Sequence, residues 1–323
     1  MATKGRPLPP GGTIGVPAPA SPYHNRSEIL RGVEWWERRG YEVVLGDGVF
    51  ERDAYVAGDP KTRAHDINAL FADPAVDAVQ CLTGGYGSAQ LLPHLDFDTI
   101  AANPKPFVGY SDITALHTGM REKTGLVTFY GPVLMSMNAD DRDKDGKEFL
   151  REHLLRALTS TEPLGPVPTN PDDDYVRVLT PGRVTGELVG GCLWLLGQGI
   201  GTPWQVNLAG KILFFEDYEL APWYADGLLN QMTQAGMLSE VIGVVVGDLE
   251  QCDWSEDKPE FPQTLSIEDV LERYIEPLGV PAIYRLPMGH GKYLATTPLG
   301  VTATLNADNR TLTIDEPALE EST

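Results

Sequence analysis

Two α/β domains joined by a proline- and aspartate-rich stretch are predicted for these 323 residues, on three observations. Short apolar runs alternate with amphipathic segments of helical length through the first half. Several of those runs end in glycine, as strands entering tight turns do. Periodicity then lapses in TSTEPLGPVPTNPDDDY, residues 159–175, and resumes beyond it. The expected boundaries are 1–160 for the first domain, 161–183 for the linker and 184–323 for the second domain.

The elements follow in order. GTIGVPAPAS reads as a buried strand and loop. SEILRGVEWWERRG places Ile29, Leu30, Val33 and Trp36 at helical spacing, with Ser27 able to cap and Gly40 to terminate. YEVVLGD is the next strand, KTRAHDINALFAD a helix, and AVDAVQCLTGG a buried strand ending in glycines. PFVGY and LVTFYGP are strands, with DITALHTGMREKTG between them as a helix closed by Gly125. Alternation of this kind predicts a parallel sheet with helices on both faces. Beyond the linker, GRVTGELVGG, GKILFFEDYE, EVIGVVVGDLE and PAIYRLPMGHG read as strands. APWYADGLLNQMTQAG and TLSIEDVLERYIEPLG read as helices.

Composition excludes several functions. Twenty-five basic against 46 acidic residues give a formal charge of −21, which repels phosphate backbones and anionic lipid heads. Neither a nucleic acid nor a membrane is expected as partner. Cys81, Cys192 and Cys252 are scattered and odd in number, so no disulfide framework is expected. With no apolar signal region and no run of spanning length, the expected location is the cytoplasm.

The chemistry centres on KPFVGYSDITALHTGM, residues 105–120. Where a strand turns sharply into a helix, the turn residue projects from the carboxyl end of the sheet beside the first helical amides. Ser111 holds that position, with Gly109 two residues earlier. The second small residue of a G-x-S-x-G elbow is Ile113 here, so the motif is half matched. Read locally, Ser111 is first a helix cap; its other reading is a nucleophile. A nucleophile needs a base and an orienting acid. His117 is six residues on, about 240° around the helix, and points away. His290, between two glycines in LPMGHGK, is better positioned as base, and Glu216 at the end of KILFFED as orienting acid; a loop histidine and a rim carboxylate are the plain alternatives. The glycine run of CLTGGYGS offers amides to an oxyanion or a carboxylate. It is no P-loop, since no Gly-Lys-Ser/Thr follows.

Taken together and in order, TIGVPAPAS, LTGGYGS, KPFVGYSDITALH, GRVTGELVGG, GKILFFEDYELAPWYADGLLNQMTQAG, GVVVGDL, LPMGHG and TPLGVTATL resemble the LD-carboxypeptidases. This serine peptidase family includes the microcin C immunity peptidases. The resemblance covers essentially the whole chain. It implies a glutamine-amidotransferase-like (flavodoxin-like) first domain, a smaller mixed α/β second domain, a homodimer and no cofactor. It implies a Ser111–Glu216–His290 triad, with the backbone amides of Asp112 and Gly85 as oxyanion donors. The implied reaction cleaves the amide between an L-configured centre and a terminal D-alanine in cell-wall tetrapeptides, the carboxylate held near Gly84 and Gly85. Two departures put the substrate in question: Thr83 stands where many members carry arginine, and Cys192 follows Gly190-Gly191 where asparagine is frequent. The alternative substrate is a microcin-type aminoacyl nucleotide, with Trp194 or Trp204 stacking on its base; core packing is the plain reading of both tryptophans.

Two further readings compete. DRDKDGKEFLRE, residues 141–152, has calcium-loop spacing. Glu148 stands where an apolar residue belongs and the preceding segment is strand-like, so an acidic solvated loop without metal is expected. A non-enzymatic protein binding a ligand in its cleft also fits two α/β domains, although such proteins usually carry export signals.

Overall fold

The computed structural model describes residues 2–138, 142–253 and 265–321. Its strands are β1 (Thr13–Val16), β2 (Glu42–Leu45), β3 (Ala78–Gln80), β4 (Phe107–Gly109), β5 (Thr128–Tyr130), β6 (Gly165–Pro166), β7 (Arg177–Thr180), β8 (Arg183–Cys192), β9 (Ile212–Tyr218), β10 (Gly243–Glu250), β11 (Ala282–Tyr284), β12 (Thr297–Leu299), β13 (Val301–Asn306) and β14 (Thr311–Ile314). Its α-helices are α1 (Arg26–Glu37), α2 (Pro60–Ala72), α3 (Phe97–Ala102), α4 (Thr114–Thr124), α5 (Lys144–Thr159), α6 (Leu193–Gln198), α7 (Pro222–Gln234) and α8 (Ile267–Tyr274).

Two sheets organise the chain. The first has the order β12-β5-β4-β3-β1-β2, and its five strands from the first half are parallel. Its inner strands β1, β3, β4 and β5 are buried throughout, as the absence of polar alternation in their sequences demands. The order reverses between β1 and β3, so their carboxyl ends splay around a crevice. The second sheet has the order β6-β14-β13-β8-β9-β10-β11-β7 and is mixed: β8 to β11 run parallel and the flanking strands antiparallel.

Period-two alternation in β9 decides what faces what. Ile212 and Phe214 join the core that continues into the first sheet, while Leu213 and Phe215 join a second core with Leu229 and Met232 of α7 and Val270 of α8. Glu216 therefore falls on the side of Phe214, toward the first sheet, and Asp217 on the side of α6.

The stretch 161–183, expected as a linker, carries two edge strands. β6 pairs with β14, and β7 pairs with β11, at opposite margins of the second sheet. Proline hides such strands from a pattern search, yet an edge strand tolerates it where its N–H would face outward. β12 departs from the expected boundary as well, because it leaves the second half and pairs antiparallel with β5. The chain thus crosses to the first sheet between β11 and β12, through the segment holding His290.

Local corrections have local causes. Asn25, two residues before the expected Ser27, caps α1 by accepting the Ser27 amide at 3.1 Å. Gly125 closes α4 in the left-handed region, as expected. The acidic stretch expected as a loop is helical from Lys144. Asp143 caps α5 through the Gly146 amide at 2.9 Å and pairs with Lys292. Asp141, the first position of the calcium spacing, lies outside the described residues. Among the described residues no group of three or more His, Cys, Asp or Glu is arranged to hold a metal.

Two glycines, one crowded at the β8–β9 pair and one in open space on α7, predict opposite outcomes. Gly190 has φ +144°, and a Cβ there would stand 1.7 Å from the Phe214 carbonyl oxygen. Gly190→Ala should cost about 3 kcal/mol or more and lose soluble protein. Gly227, in α7, has nothing within 4 Å of its missing Cβ. Gly227→Ala should stabilise by about 1 kcal/mol, read as a higher Tm in thermal unfolding.

Candidate active site

Ser111 stands where β4 turns into α4. Tyr110 is extended, Ser111 has φ +63°, and a 3-10 turn over Ser111–Ile113 leads into the helix. A left-handed serine is uncommon and held only where its surroundings over-determine it. Gly109 permits the bend, since a Cβ there would meet the Ile113 side chain at 2.7 Å. The cap reading fails: neither the 3-10 turn nor α4 has a side-chain cap. The Ser111 hydroxyl instead lies 2.9 Å from His290 Nε2.

Glu216 is fully buried at the carboxyl end of β9. Its Oε2 accepts from His290 Nδ1 at 2.7 Å and from the His290 amide at 3.1 Å. Its Oε1 accepts from the Tyr130 hydroxyl at 2.5 Å. A carboxylate at Nδ1 assigns the ring proton there and leaves Nε2 as acceptor toward the serine hydroxyl. Gly289 makes this approach feasible, because a Cβ there would stand 2.3 Å from Glu216 Oε2. Burial pushes the His290 pKa down, but the charge and hydrogen bond of Glu216 outweigh it and the net shift is upward. Tyr218 stacks on the imidazole at 5.2 Å between ring centres, and Tyr110 approaches it at 5.0 Å.

The glycine loop lies against the serine: a Cβ on Gly84 would be 3.2 Å from Ser111 Cβ. Ser21 staples this loop to β1, its N–H donating to the Gly84 carbonyl and its hydroxyl accepting the Tyr86 amide at 3.0 Å. Gly85 needs its φ of +105°, since a Cβ would strike Ser21 Oγ. Asp112 turns its buried side chain inward and accepts the Ser88 amide at 2.8 Å, while the Ser88 hydroxyl donates to the Asp112 carbonyl. Burial raises the Asp112 pKa, and the Ser88 bonds oppose that rise. Buried Arg63 donates to the carbonyls of Pro19 and Gly87, tying both ends of the crevice together.

The remaining expectations divide. Trp194 is 41% exposed, its amide held by Asp217 Oδ2 at 2.8 Å and its ring edge-on to Tyr224. Trp204 does not join the site. It packs toward Gly119, midway along α4, and lines a separate cavity with Leu92, Ala115, Thr118 and Leu195, to which Ser111, Glu216 and His290 contribute nothing. The tryptophan followed a proline in a loop, where apolarity could not tell which neighbour it meets. His117 is buried, hydrogen-bonded from Nε2 to the Gly109 carbonyl, and held neutral by burial with a pKa of about 4. Tyr130, Ser21, Ser88 and Arg63 were not legible as site residues. The only sequence signal for Tyr130 was its position at the end of a buried strand.

Two more carboxylates flank the site. Asp217 is pushed up to about 6, mainly by burial and then by the charge of Glu216. Asp248, its carboxyl against Gly291, has an enclosed Oδ2 without a hydrogen-bond partner among the described residues, and burial pushes its pKa up to about 7. A raised carboxyl pKa means the folded chain keeps its proton after the unfolded chain has lost it. Stability contributed by that proton falls from about pH 4 to pH 7. Asp248→Asn should therefore gain on wild type as pH rises, by about 5 °C in Tm between pH 4 and pH 8, measured by thermal unfolding.

Residues 14–131 match the LD-carboxypeptidase N-terminal domain and residues 185–305 the LD-carboxypeptidase C-terminal domain. The chain is 37% identical to a Bacillus subtilis (strain 168) protein named "Probable murein peptide carboxypeptidase", over 97% of this chain and 94% of that one. It is 30% identical to the Escherichia coli microcin C7 self-immunity protein MccF, over 97% and 96%. A structure of MccF in complex with glutamyl sulfamoyl guanosine aligns with a TM-score of 0.86 at 27% identity, over 98% and 100%. A muramoyltetrapeptide carboxypeptidase from Oxalobacter formigenes aligns with a TM-score of 0.78 at 29% identity, over 94% and 99%. Both halves match in order and relatives are covered nearly end to end, so the chain belongs to the LD-carboxypeptidase family of serine peptidases.

Proposed function

We propose that Ser111 is the nucleophile, His290 the general base and Glu216 the orienting acid of a carboxypeptidase acting on cell-wall tetrapeptides. The observation that carries this reading is the continuous hydrogen-bonded chain from Glu216 through His290 to Ser111. The Ser111 hydroxyl attacks the amide carbonyl between an L-configured centre and terminal D-alanine, and its proton passes to His290 Nε2. Glu216 keeps the tautomer and stabilises the imidazolium. The amides of Asp112 and Gly85 receive the oxyanion, while the Ser111 amide is already engaged by the Tyr130 hydroxyl at 3.0 Å. His290 then returns the proton to the leaving D-alanine nitrogen, and the acyl group remains on Ser111. Water, deprotonated by His290, releases it. Amides around Gly84 and Gly85 supply donors to the substrate carboxylate.

The strand order β2-β1-β3-β4-β5 supports the finer description of the first domain as flavodoxin-like, and hence glutamine-amidotransferase-like. A second substrate reading is an aminoacyl-nucleotide amide of the microcin type. The exposed Trp194 ring beside Tyr224 favours it, since a planar base could stack there, as does the likeness to MccF bound to glutamyl sulfamoyl guanosine.

Three outcomes test the reading. Ser111→Ala and His290→Ala should each lower kcat about 10⁴-fold or more with folding intact, and an active-serine probe should label wild type but not Ser111→Ala. Retained turnover in His290→Ala removes it as base. Incubation with an L,D-tetrapeptide should release D-alanine by mass, faster than an aminoacyl sulfamoyl adenosine is hydrolysed; the reverse ranking selects the second substrate. Only neutral His290 can take the serine proton, so kcat/KM should rise with pH through a midpoint above 6.5, the ordinary histidine value.

A further inference from the structure

Tyr130 ends β5, two positions before Pro132, and is wholly buried. Its ring is held by Phe214 at 5.2 Å, His117 at 5.8 Å and Tyr110 at 6.3 Å. Its hydroxyl is saturated at the centre of the site. It donates to Glu216 Oε1 and accepts from the Ser111 amide. Each bond answers a separate need. Glu216 has two oxygens, both buried; His290 satisfies one, and Tyr130 the other. Ser111 sits in the left-handed region, and a fixed acceptor for its N–H holds that conformation.

We propose that Tyr130 is a positioning residue that couples the nucleophile's backbone to the acid of the triad. One hydroxyl fixes the turn bearing Ser111 and the carboxylate that orients His290, so the two halves of the catalytic geometry share a single hinge pin. Because the Ser111 amide is engaged there, the amide of the next residue is left to face the oxyanion. Burial, then the charge of Glu216, hold the Tyr130 pKa well above its ordinary value, so the phenol remains a donor at every working pH. The ionisable groups near it are Glu216, Cys192, His117 and Tyr110; those near His290 are Glu216, Asp217, Arg142, Tyr110 and Tyr218.

This inference rests on the serine-peptidase reading, so the experiment uses a fluorophosphonate active-serine probe, which needs no knowledge of the substrate. Labelling rates of the full chain are measured against pH for wild type, Ser111→Ala and Tyr130→Phe. Phenylalanine keeps the ring packing but leaves Glu216 Oε1 and the Ser111 amide without this partner, so Tm should fall by roughly 5 to 10 °C with the chain still folded. Labelling should slow by roughly a hundredfold as the serine turn and imidazole lose their common anchor. Deprived of the phenol proton, Glu216 acts more fully on His290, and the midpoint of the pH dependence should move up by about half a unit to one unit. In a Glu216→Gln background the midpoint shift should vanish, because Tyr130 acts on it through that carboxylate. Should Tyr130→Phe fail to fold, 3-fluorotyrosine at position 130 keeps the shape, strengthens the donor and should move the midpoint down. An unlabelled wild type overturns the peptidase reading and this inference with it. A labelled wild type with unchanged rate and midpoint in Tyr130→Phe, or an unmoved midpoint with fluorotyrosine, overturns the role of Tyr130 alone.

Discussion

A carboxylate with no access to water is the constraint around which this molecule is arranged. Glu216 lies between the two sheets, and a buried charge is tolerated only if its oxygens are fully paired. Its partners come from three distant parts of the chain: the imidazole and amide of His290, the phenol of Tyr130, and, through Tyr130, the amide of Ser111. Gly289 lacks a side chain because Glu216 occupies the space one would need. Satisfying this one group brings the sheets into register. Of the residues that do so, His290 also meets the serine hydroxyl and Tyr130 the serine amide.

The crossing between β11 and β12 serves the same end. Had the chain stayed in the second sheet, His290 would have been anchored on one side only. Instead β12 pairs with β5, two strands from β3 and adjacent to β4, whose end carries Ser111. The imidazole is thus tethered to the first sheet downstream and the second sheet upstream. A further link is Cys192, whose amide donates to Thr114 Oγ1 in the first turn of α4 at 2.9 Å. Gly191 allows it, since a Cβ there would fall 2.5 Å from the same oxygen. Relative motion of the halves therefore strains hydrogen bonds at the site itself.

What the sequence disclosed follows from the range of each signal. β3, β4, β5 and β9 were legible because strands buried on both faces read as unbroken apolar runs, and α1, α4 and α7 because one face of each is apolar. Ser111, Glu216 and His290 each stood at a strand end or between glycines, so their positions were legible although their mutual contact was not. The edge strands β6 and β7 were hidden by proline and by having little side to bury. Asp143 as a helix cap was hidden within an acidic run that equally suggested a loop. Tyr130 and Trp204 show the limit most plainly. Both are aromatic residues in apolar surroundings, and nothing local says that one hydroxyl meets Glu216 while the other ring meets Gly119.

Ser111, a helix cap by its local sequence, shows why a local rule yields here. A cap would have turned the hydroxyl onto the first amides of the helix, satisfying donors that otherwise lack partners. In this chain those positions have no side-chain cap, the hydroxyl is drawn off to an imidazole 179 residues away, and the serine's own amide is taken by a phenol. A helix start left uncapped is a cost to stability, of about 1 kcal/mol where it is measured. The same uncapped start leaves the next amide, that of Asp112, at the positive end of the helix and beside the hydroxyl. The stability forgone and the site gained are two sides of one geometry: a hydroxyl that does not turn onto the helix amides is left to meet the imidazole of His290.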